Sequence, residues 1–452
     1  MSKVVAILGA GPVGLAAAAH VLERGMEPIV LERGDKVAHA VRSWGHVPMF
    51  SNWRYNLDAA AARRLAAEGW VPPDPEAYPT GGDLVAGYLD PLGQTLAPWL
   101  RLGRQVVAVT RDGLDKVKDA GRAEAGFVIE MEGVAGPERH RADAVIDTTG
   151  TWFQPNPGGT GRPVPGETAH PRISYGMPDV LGAERQRFAG KQVAVLGGGH
   201  SAIGTLLALA GLPGARPIWL CRAASVNRAM GGGAADQLVA RGALGTDMAR
   251  LVAAGRVQLE NGFHLAEVAG QVLVARDGRR VEVDEVVIAT GFRPDLSILQ
   301  ELRVALDPAL DCPPALAPLI DPNLHSCGTV RPHGAAELAH PEPGFYIAGM
   351  KSYGRAPTFL LATGHEQVRS IVAAIAGDHA AAVRVELVLP ETGVCSGPGP
   401  RLAETVGSGC CGGPALVRAD ACCVKDEVAK DAGSSGCGCG DTEKVTKANA
   451  CC

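Results

Sequence analysis

Two glycine runs mark where this sequence can do chemistry. The first, Gly9-x-Gly11-x-x-Gly14, follows the apolar stretch V-V-A-I-L (4–8) and opens a helix-forming segment that begins at Pro12. The second starts at Gly197 and Gly199 and follows V-A-V-L (193–196); His200 and Ser201 come next, and Ala202 takes the third glycine's place. A glycine run at a strand-to-helix turn suits a diphosphate. The first glycine makes the tight turn, the second lets the backbone approach the ligand, and the third lets helix and strand pack closely. The helix N-terminus contributes free N–H groups and a partial positive charge. Each run is followed by a matching strand, P-I-V-L-E-R (28–33) and P-I-W-L-C-R (217–222). Glu32 is placed to accept hydrogen bonds from ribose hydroxyls, with Arg33 beside it. At the second site Cys221 has no carboxylate to repel a 2′-phosphate, and Arg222 brings a charge that would bind one. The pattern predicts two dinucleotides, FAD or NAD at the first site and NADPH at the second.

A different chemistry is concentrated at the other end. Of twelve cysteines none precedes Cys221, and nine fall within 395–452. Cys410-Cys411, Cys422-Cys423, Cys437-x-Cys439 and Cys451-Cys452 are adjacent or nearly so. Paired thiolates are soft ligands suited to trivalent arsenic, zinc or copper(I), and a flexible tail could gather three of them.

Several elements must position these groups. Trp44 and the stretch 49–56, M-F-S-N-W-R-Y-N, are rich in aromatic, amide and basic groups in a chain with 4% aromatic residues. A flat ring needs an apolar wall and a few donors, so Asn52, Arg54 and Asn56 are the candidates for orienting the reacting end of a flavin. A helix is expected over 84–100 and another over 358–375, the latter starting towards the flavin. The alternating runs 105–110 and 127–131 read as strands of an antiparallel insertion, with Val106 counted among the nucleotide contacts. Apolar strands ending in Thr149-Gly150 and Thr290-Gly291 occur once per unit, as a duplicated architecture requires. A last strand runs into Gly349-Met350. The expectation is an α/β chain with two Rossmann-like dinucleotide-binding domains, the second inserted in the first, each carrying a small antiparallel β insertion. The FAD domain would cover 1–165 and 333–389, the NADPH domain 166–332, and a disordered Cys-rich tail 390–452.

Net charge of −5 and a pI near 6.2 give no electrostatic case for nucleic acid or an anionic membrane surface. No apolar run approaches the ~20 residues that cross a bilayer. The first strand begins almost at once, so a cytoplasmic protein is expected.

The two glycine runs, the two Thr-Gly turns and the segment 170–191 give a pattern over roughly residues 1–380 that resembles the two-dinucleotide-binding-domain flavoproteins, within them the flavin-containing monooxygenase branch. Related flavoproteins have Gly-Asp where this chain has Gly349-Met350, and Met350 cannot make that acid's contact to the ribityl chain. With its tail, the chain resembles the ArsO-type flavin monooxygenases of arsenic-resistance operons. The resemblance implies FAD and NADPH as cofactors, hydride transfer to the flavin, and oxygenation of a soft nucleophile, with arsenite or another soft ion on the tail. Two rival readings stay open: a pyridine nucleotide-disulfide reductase using C-terminal dithiols, and a metalloid-binding flavoprotein without turnover. The core holds no C-x-x-C or C-x-x-x-x-C.

Overall fold

Strands that are apolar along their whole length must pair inside a sheet covered on both faces, and parallel pairing with helical crossovers achieves this. The computed structural model describes residues 2–227, 229–231, 238–324, 331–356 and 359–387, with residue 430. Contacts divide the chain into a unit over Met1–Pro400 and another over Arg401–Cys452. The tail cysteines, including all eight candidate ligands, lie outside the described residues.

In chain order the strands begin with β1 (Val4–Leu8), β2 (Glu27–Leu31) and β3 (Leu100–Arg101), then β4 (Gln105–Arg111), β5 (Phe127–Gly133), β6 (Gly136–Ala142) and β7 (Ala144–Asp147). The inserted part contributes β8 (Ile173–Tyr175), β9 (Gln192–Leu196), β10 (Arg216–Leu220) and β11 (Gln258–Glu260). It continues with β12 (Leu265–Ala269), β13 (Val272–Ala275), β14 (Arg280–Glu282) and β15 (Glu285–Ile288), and β16 (Phe345–Ile347) closes the series. One five-stranded sheet has the order β16-β7-β1-β2-β3 and the other β11-β10-β9-β15-β8. All pairs in both sheets are parallel. Strands β4–β6 and β12–β14 form two three-stranded antiparallel sheets. The duplicated two-nucleotide architecture with its two β insertions is therefore present.

Alternation along β1 sorts the first core. Val5 and Ile7 point into a cluster with the alanine-rich helix Pro12–Glu23 and helix Leu361–Ile375. Ala6 and Leu8 point the other way, against Phe127, Ile129 and Met131 of the insertion. Proline at the first position of helix Pro12–Glu23 lacks an N–H that would be unpaired anyway, and Gly25, at φ +69°, turns the chain out of the helix at its other end.

Three expectations shift. The segment expected as a helix over 84–100, with its entry in 78–83, is entered there, at Gly81, where Thr80 and Asp83 form a reciprocal cap, but it does not run through to 100. It passes through a wide turn at Val85–Leu89, ends at Thr95, and reaches β3 by Leu100. The helix expected from 358 begins at Leu361. The domain boundaries at 165 and 332 are also displaced. A Cβ on Gly158 would already meet Leu196, Leu265 and Ile288 of the second core. On the return, Leu296, Leu299, Leu302 and Val304 pack with the first sheet's insertion, and Leu310 and Leu316 with its helical face. The inserted unit thus spans roughly 157–292.

Candidate functional site

The two glycine loops lie at the carboxyl ends of the parallel strands, where an open α/β sheet leaves its crevice. At the first, Gly9 has φ +99°, and a Cβ on Gly14 would sit 2.0 Å from the Gly9 carbonyl. Helix and strand therefore touch backbone to backbone. Thr148 Oγ1 donates to the Leu8 and Gly9 carbonyls, bracing the same turn from β7 (2.8 and 3.2 Å). Gly11 differs: a Cβ there would meet nothing within 4 Å. It is the N-cap of helix Pro12–Glu23, and no side chain caps that end. Glu32 is buried and accepts from the backbone N–H groups of Ala10 and Gly34, each at 2.8 Å. Each carboxylate oxygen keeps a lone pair for a ribose hydroxyl.

The second loop repeats the geometry with altered chemistry. A Cβ on Gly197 would lie 2.2 Å from the Ala289 carbonyl, while one on Gly199 meets nothing within 4 Å. Ala202 is fully buried at the third position, and Ser201 is half-buried beside it. Cys221 donates its thiol to the Gly197 carbonyl at 3.5 Å, tethering the loop as Glu32 tethers the first. Burial pushes that thiol up to about 11, against the pull of Arg222, so it carries no negative charge. The Arg222 side chain is exposed and makes no ion pair among the described residues. Thr290 Oγ1 donates to the Asn156 carbonyl (2.8 Å), and Gly291, at φ +88°, turns the chain back.

The loop carrying Asn52, Arg54 and Asn56 reaches from the first sheet's side to the second glycine loop. Its Phe50 ring lies 5.7 Å from the ring of His200, the first residue of the second nucleotide helix. The three candidates have distinct roles within that loop. Asn56 is fully buried, and its amide donates to the Ser51 and Asn52 carbonyls and accepts from Ser51 Oγ, so it braces the loop. Arg54 is half-exposed and ion-paired to Glu76. Asn52 is buried, donates Nδ2 to Glu76 at 3.2 Å, and leaves Oδ1 buried without a partner. The carboxylate fixes the amide's orientation, because a flipped Asn52 would face oxygen with oxygen. An orphaned buried acceptor is suited to a ligand N–H or O–H.

The Arg33 guanidinium lies 4.4 Å over the Phe153 ring. Trp44 covers Gly81 and lies 6.3 Å from Trp152, while Val106 packs on the core of the β4–β6 insertion. Gly150 and Gly349 have φ +69° and +72°. The Thr149 hydroxyl donates to Asp147 Oδ1 (2.7 Å) and accepts from Lys351 Nζ (3.0 Å), and the residue is exposed. Met350 is half-buried, and the charge on this turn belongs to Lys351, which follows it.

Glu76, Asp147, Lys351, Gln367 and His333 were not singled out from the sequence, although a lone acid in A-V-I-D and a lone lysine in Y-I-A-G-M-K were visible signals. Gln367 Oε1 accepts from the Gly349 N–H (2.7 Å), and its Nε2 donates to His333 Nε2 (2.8 Å) and Ser352 Oγ (3.0 Å). His333 Nδ1 faces the Arg331 carbonyl at 3.0 Å and must donate to it. That arrangement admits only the neutral ring, and burial pushes the His333 pKa down accordingly. The described cysteines, Cys221 and Cys312, are both buried, and burial with Asp307 nearby pushes Cys312 up to about 12. Among the described residues no helix is long and apolar enough to cross a membrane, and no cluster of three or more His, Cys, Asp or Glu could hold a metal ion.

Uncapped helix ends, open space at Gly11 and Gly199, a buried ribose acceptor and the orphaned Asn52 oxygen fit a flavin and a nicotinamide dinucleotide. Comparison with known proteins agrees. The family model for pyridine nucleotide-disulphide oxidoreductases matches residues 3–331. The bacillithiol disulfide reductase Bdr (YpdA) from Bacillus cereus shares the fold at a TM-score of 0.63 and 21% identity, over 83% of this chain and 99% of that one. The flavin-containing monooxygenase from Stenotrophomonas maltophilia does so at 0.53 and 19%, over 83% and 98%. Indole-3-pyruvate monooxygenase YUCCA1 from Oryza sativa subsp. japonica is 28% identical over 235 residues, 48% of this chain. The chain spans about half the length of that curated relative (47%).

Two outcomes follow from this geometry. Gly14→Ala should destabilise the chain without cofactor by about 1–3 kcal/mol through overpacking. Gly11→Ala should leave that stability within about 0.5 kcal/mol and weaken FAD binding about tenfold or more; denaturant midpoints and flavin fluorescence titration separate the two. His333, His340 and His365 are held neutral by burial, His340 down to about 4. The unfolded chain protonates them near pH 6.5, so their stability is complete above about 6.5 and lost as pH falls below it. A melting temperature that stayed level or rose between pH 7.5 and 5 (about one unit either side of that value) would contradict this.

Proposed function

We propose a reaction for a chain that belongs to the pyridine nucleotide-disulphide oxidoreductase family: NADPH-dependent transfer of one oxygen atom to a soft nucleophile. The family's cofactors are FAD and a nicotinamide nucleotide, and the chain is a flavin-dependent oxidoreductase. FAD, which the first glycine loop and Glu32 would hold, would supply hydride acceptance from the reduced nicotinamide and delivery of the electrons to oxygen. The chain's own part is binding, orientation and exclusion of water. Arg222 holds the 2′-phosphate, while the neutral Cys221 thiol keeps negative charge away from it. Asn52 accepts a hydrogen bond at the reacting end, with Glu76 fixing the direction of its amide and Asn56 holding its main-chain carbonyl.

The observation that carries the reading is the buried, unpartnered Asn52 Oδ1, on a loop whose Phe50 meets His200 of the second glycine loop. A disulfide reductase would need at least one reactive thiolate to attack the disulfide. Both described cysteines are buried thiols of raised pKa, the setting of an inert cysteine. The tail cysteines lie outside the described residues, and their spacing supports soft-ion binding there, arsenite included; an arsenical is then one candidate substrate.

Arg222→Ala should raise the KM for NADPH by about tenfold or more while leaving that for NADH nearly unchanged. Equal effects would remove the argument for cofactor choice. With a simple thioether as probe, NADPH and labelled oxygen should give labelled sulfoxide. Asn52→Leu should keep NADPH oxidation and lose about tenfold or more of the oxygen transfer. Rapid anaerobic reduction of an aromatic disulfide without any sulfoxide would establish the reductase reading instead.

A further inference from the structure

The first sheet contains an ion pair that no step above uses. Lys351 Nζ donates to Asp147 Oδ2 at 2.6 Å and to Thr149 Oγ1 at 3.0 Å. The Thr149 hydroxyl and backbone N–H both donate to Asp147 Oδ1, at 2.7 and 3.0 Å, closing a ring of four hydrogen bonds. Side-chain exposure is 1% for Lys351 and 0% for Asp147. Burying two charges is expensive, and well-packed apolar residues commonly do as well or better. What a closed, charge-assisted ring adds over apolar packing is direction.

Its place in the fold shows what is being directed. Asp147 ends β7 and pairs with Leu8 on one side and Ile347 on the other. Beyond that rung the ladder stops, and the chain leaves each strand through a glycine in the left-handed region, Gly150 at φ +69° and Gly349 at +72°. Two glycine turns side by side have wide backbone freedom. The ring ties one to the other, with Thr149 immediately before Gly150 and Lys351 two residues after Gly349. The Gly349 turn in turn lies against Val13, in the first turn of the nucleotide helix, where an added Cβ would approach to 3.3 Å. Both turns therefore border the place where the first glycine loop would hold its dinucleotide. The Lys351 ammonium is engaged by Asp147 and Thr149.

We propose that the Asp147–Thr149–Lys351 ring is a positioning clip for the flavin: it holds the Gly150 and Gly349 turns at the spacing the bound dinucleotide requires. The clip rests on the reading of the front site as the flavin site, and the experiment separates the two. Removing Lys351 alone would strand a buried carboxylate, so the informative variant is the neutral pair Asp147→Asn with Lys351→Met, made in the full chain. Its melting temperature without cofactor should stay within about 5 °C of the wild type, with NADPH affinity unchanged. Its dissociation constant for FAD should rise about tenfold or more. At saturating FAD the visible circular dichroism of the flavin should differ from the wild type, a signature that lower occupancy alone cannot produce. If the double variant does not fold, Thr149→Val takes its place: it removes the bridging hydroxyl and keeps the ion pair, with an expected weakening of FAD of about three- to tenfold. FAD affinity within about twofold of wild type and an unchanged dichroism band, in whichever variant folds, would overturn the clip while leaving the flavin reading intact. A wild-type chain that takes up no FAD would overturn the flavin reading, and the clip with it.

Discussion

Everything at the front site depends on one close approach, the backbone of Gly14 against the carbonyl of Gly9. A single methyl group cannot fit there, since it would lie 2.0 Å from that oxygen. Because the first turn of helix Pro12–Glu23 is pressed onto the end of β1, its N-terminus opens at the carboxyl edge of the sheet and not above the sheet's face. Thr148 braces the same turn from β7, and Glu32 holds it from the end of β2. Three neighbouring strands thus converge on one glycine turn. The free N–H groups that result are a consequence of packing, and they suit a diphosphate without any side chain being devoted to it.

The second site keeps the packing and changes the electrostatics. Gly197 repeats the contact of Gly9, against Ala289 in place of Thr148. The tether changes sign of polarity: Glu32 accepts from the loop, whereas Cys221 donates to it. A carboxylate at the second tether would hold the loop equally well and would add a negative charge beside the exposed Arg222. Tethering and local charge are therefore separable, and a buried thiol does the first without adding to the second.

Much of this was legible in the sequence because it depends on local spacing. Glycine positions, apolar strands and the strand-end residue, Glu32 in one copy and Cys221 in the other, each fall within about thirty residues inside their own copy, the span of one βαβ unit. The expected boundaries at 165 and 332 were displaced because a proline- and glycine-rich stretch signals a turn without saying which core claims its neighbours. Leu296–Leu306 belongs to the first core through contacts with β4 and β5, far away in sequence. Asp147 and Lys351 were missed for the same reason: each acts through the other, 204 residues away along the chain, and no period or motif connects them. Asn56 shows the converse: its residue type suggested an exposed donor, but its amide is turned inward to hold the loop that carries Asn52.

The two sheets are joined in a way that bears on how both nucleotides can serve one reaction. The outgoing and returning crossovers pair with each other: Asn156 N–H donates to the Gly291 carbonyl and Arg293 N–H to that of Gln154 (2.9 and 3.0 Å). Trp152 stacks on Phe292 at 4.8 Å, and Trp44 extends the aromatic contact into the first unit. Two covalent links bonded to one another behave as a single ribbon, so the inserted unit is hung on one joint. Phe50 against His200 supplies a contact away from that joint. A joint alone would leave the angle between the sheets open; joint and contact together restrict it. The contact involves the first residue of the second nucleotide helix and a residue two before Asn52, so whatever sets the angle also sets the distance between the second glycine loop and the orphaned acceptor.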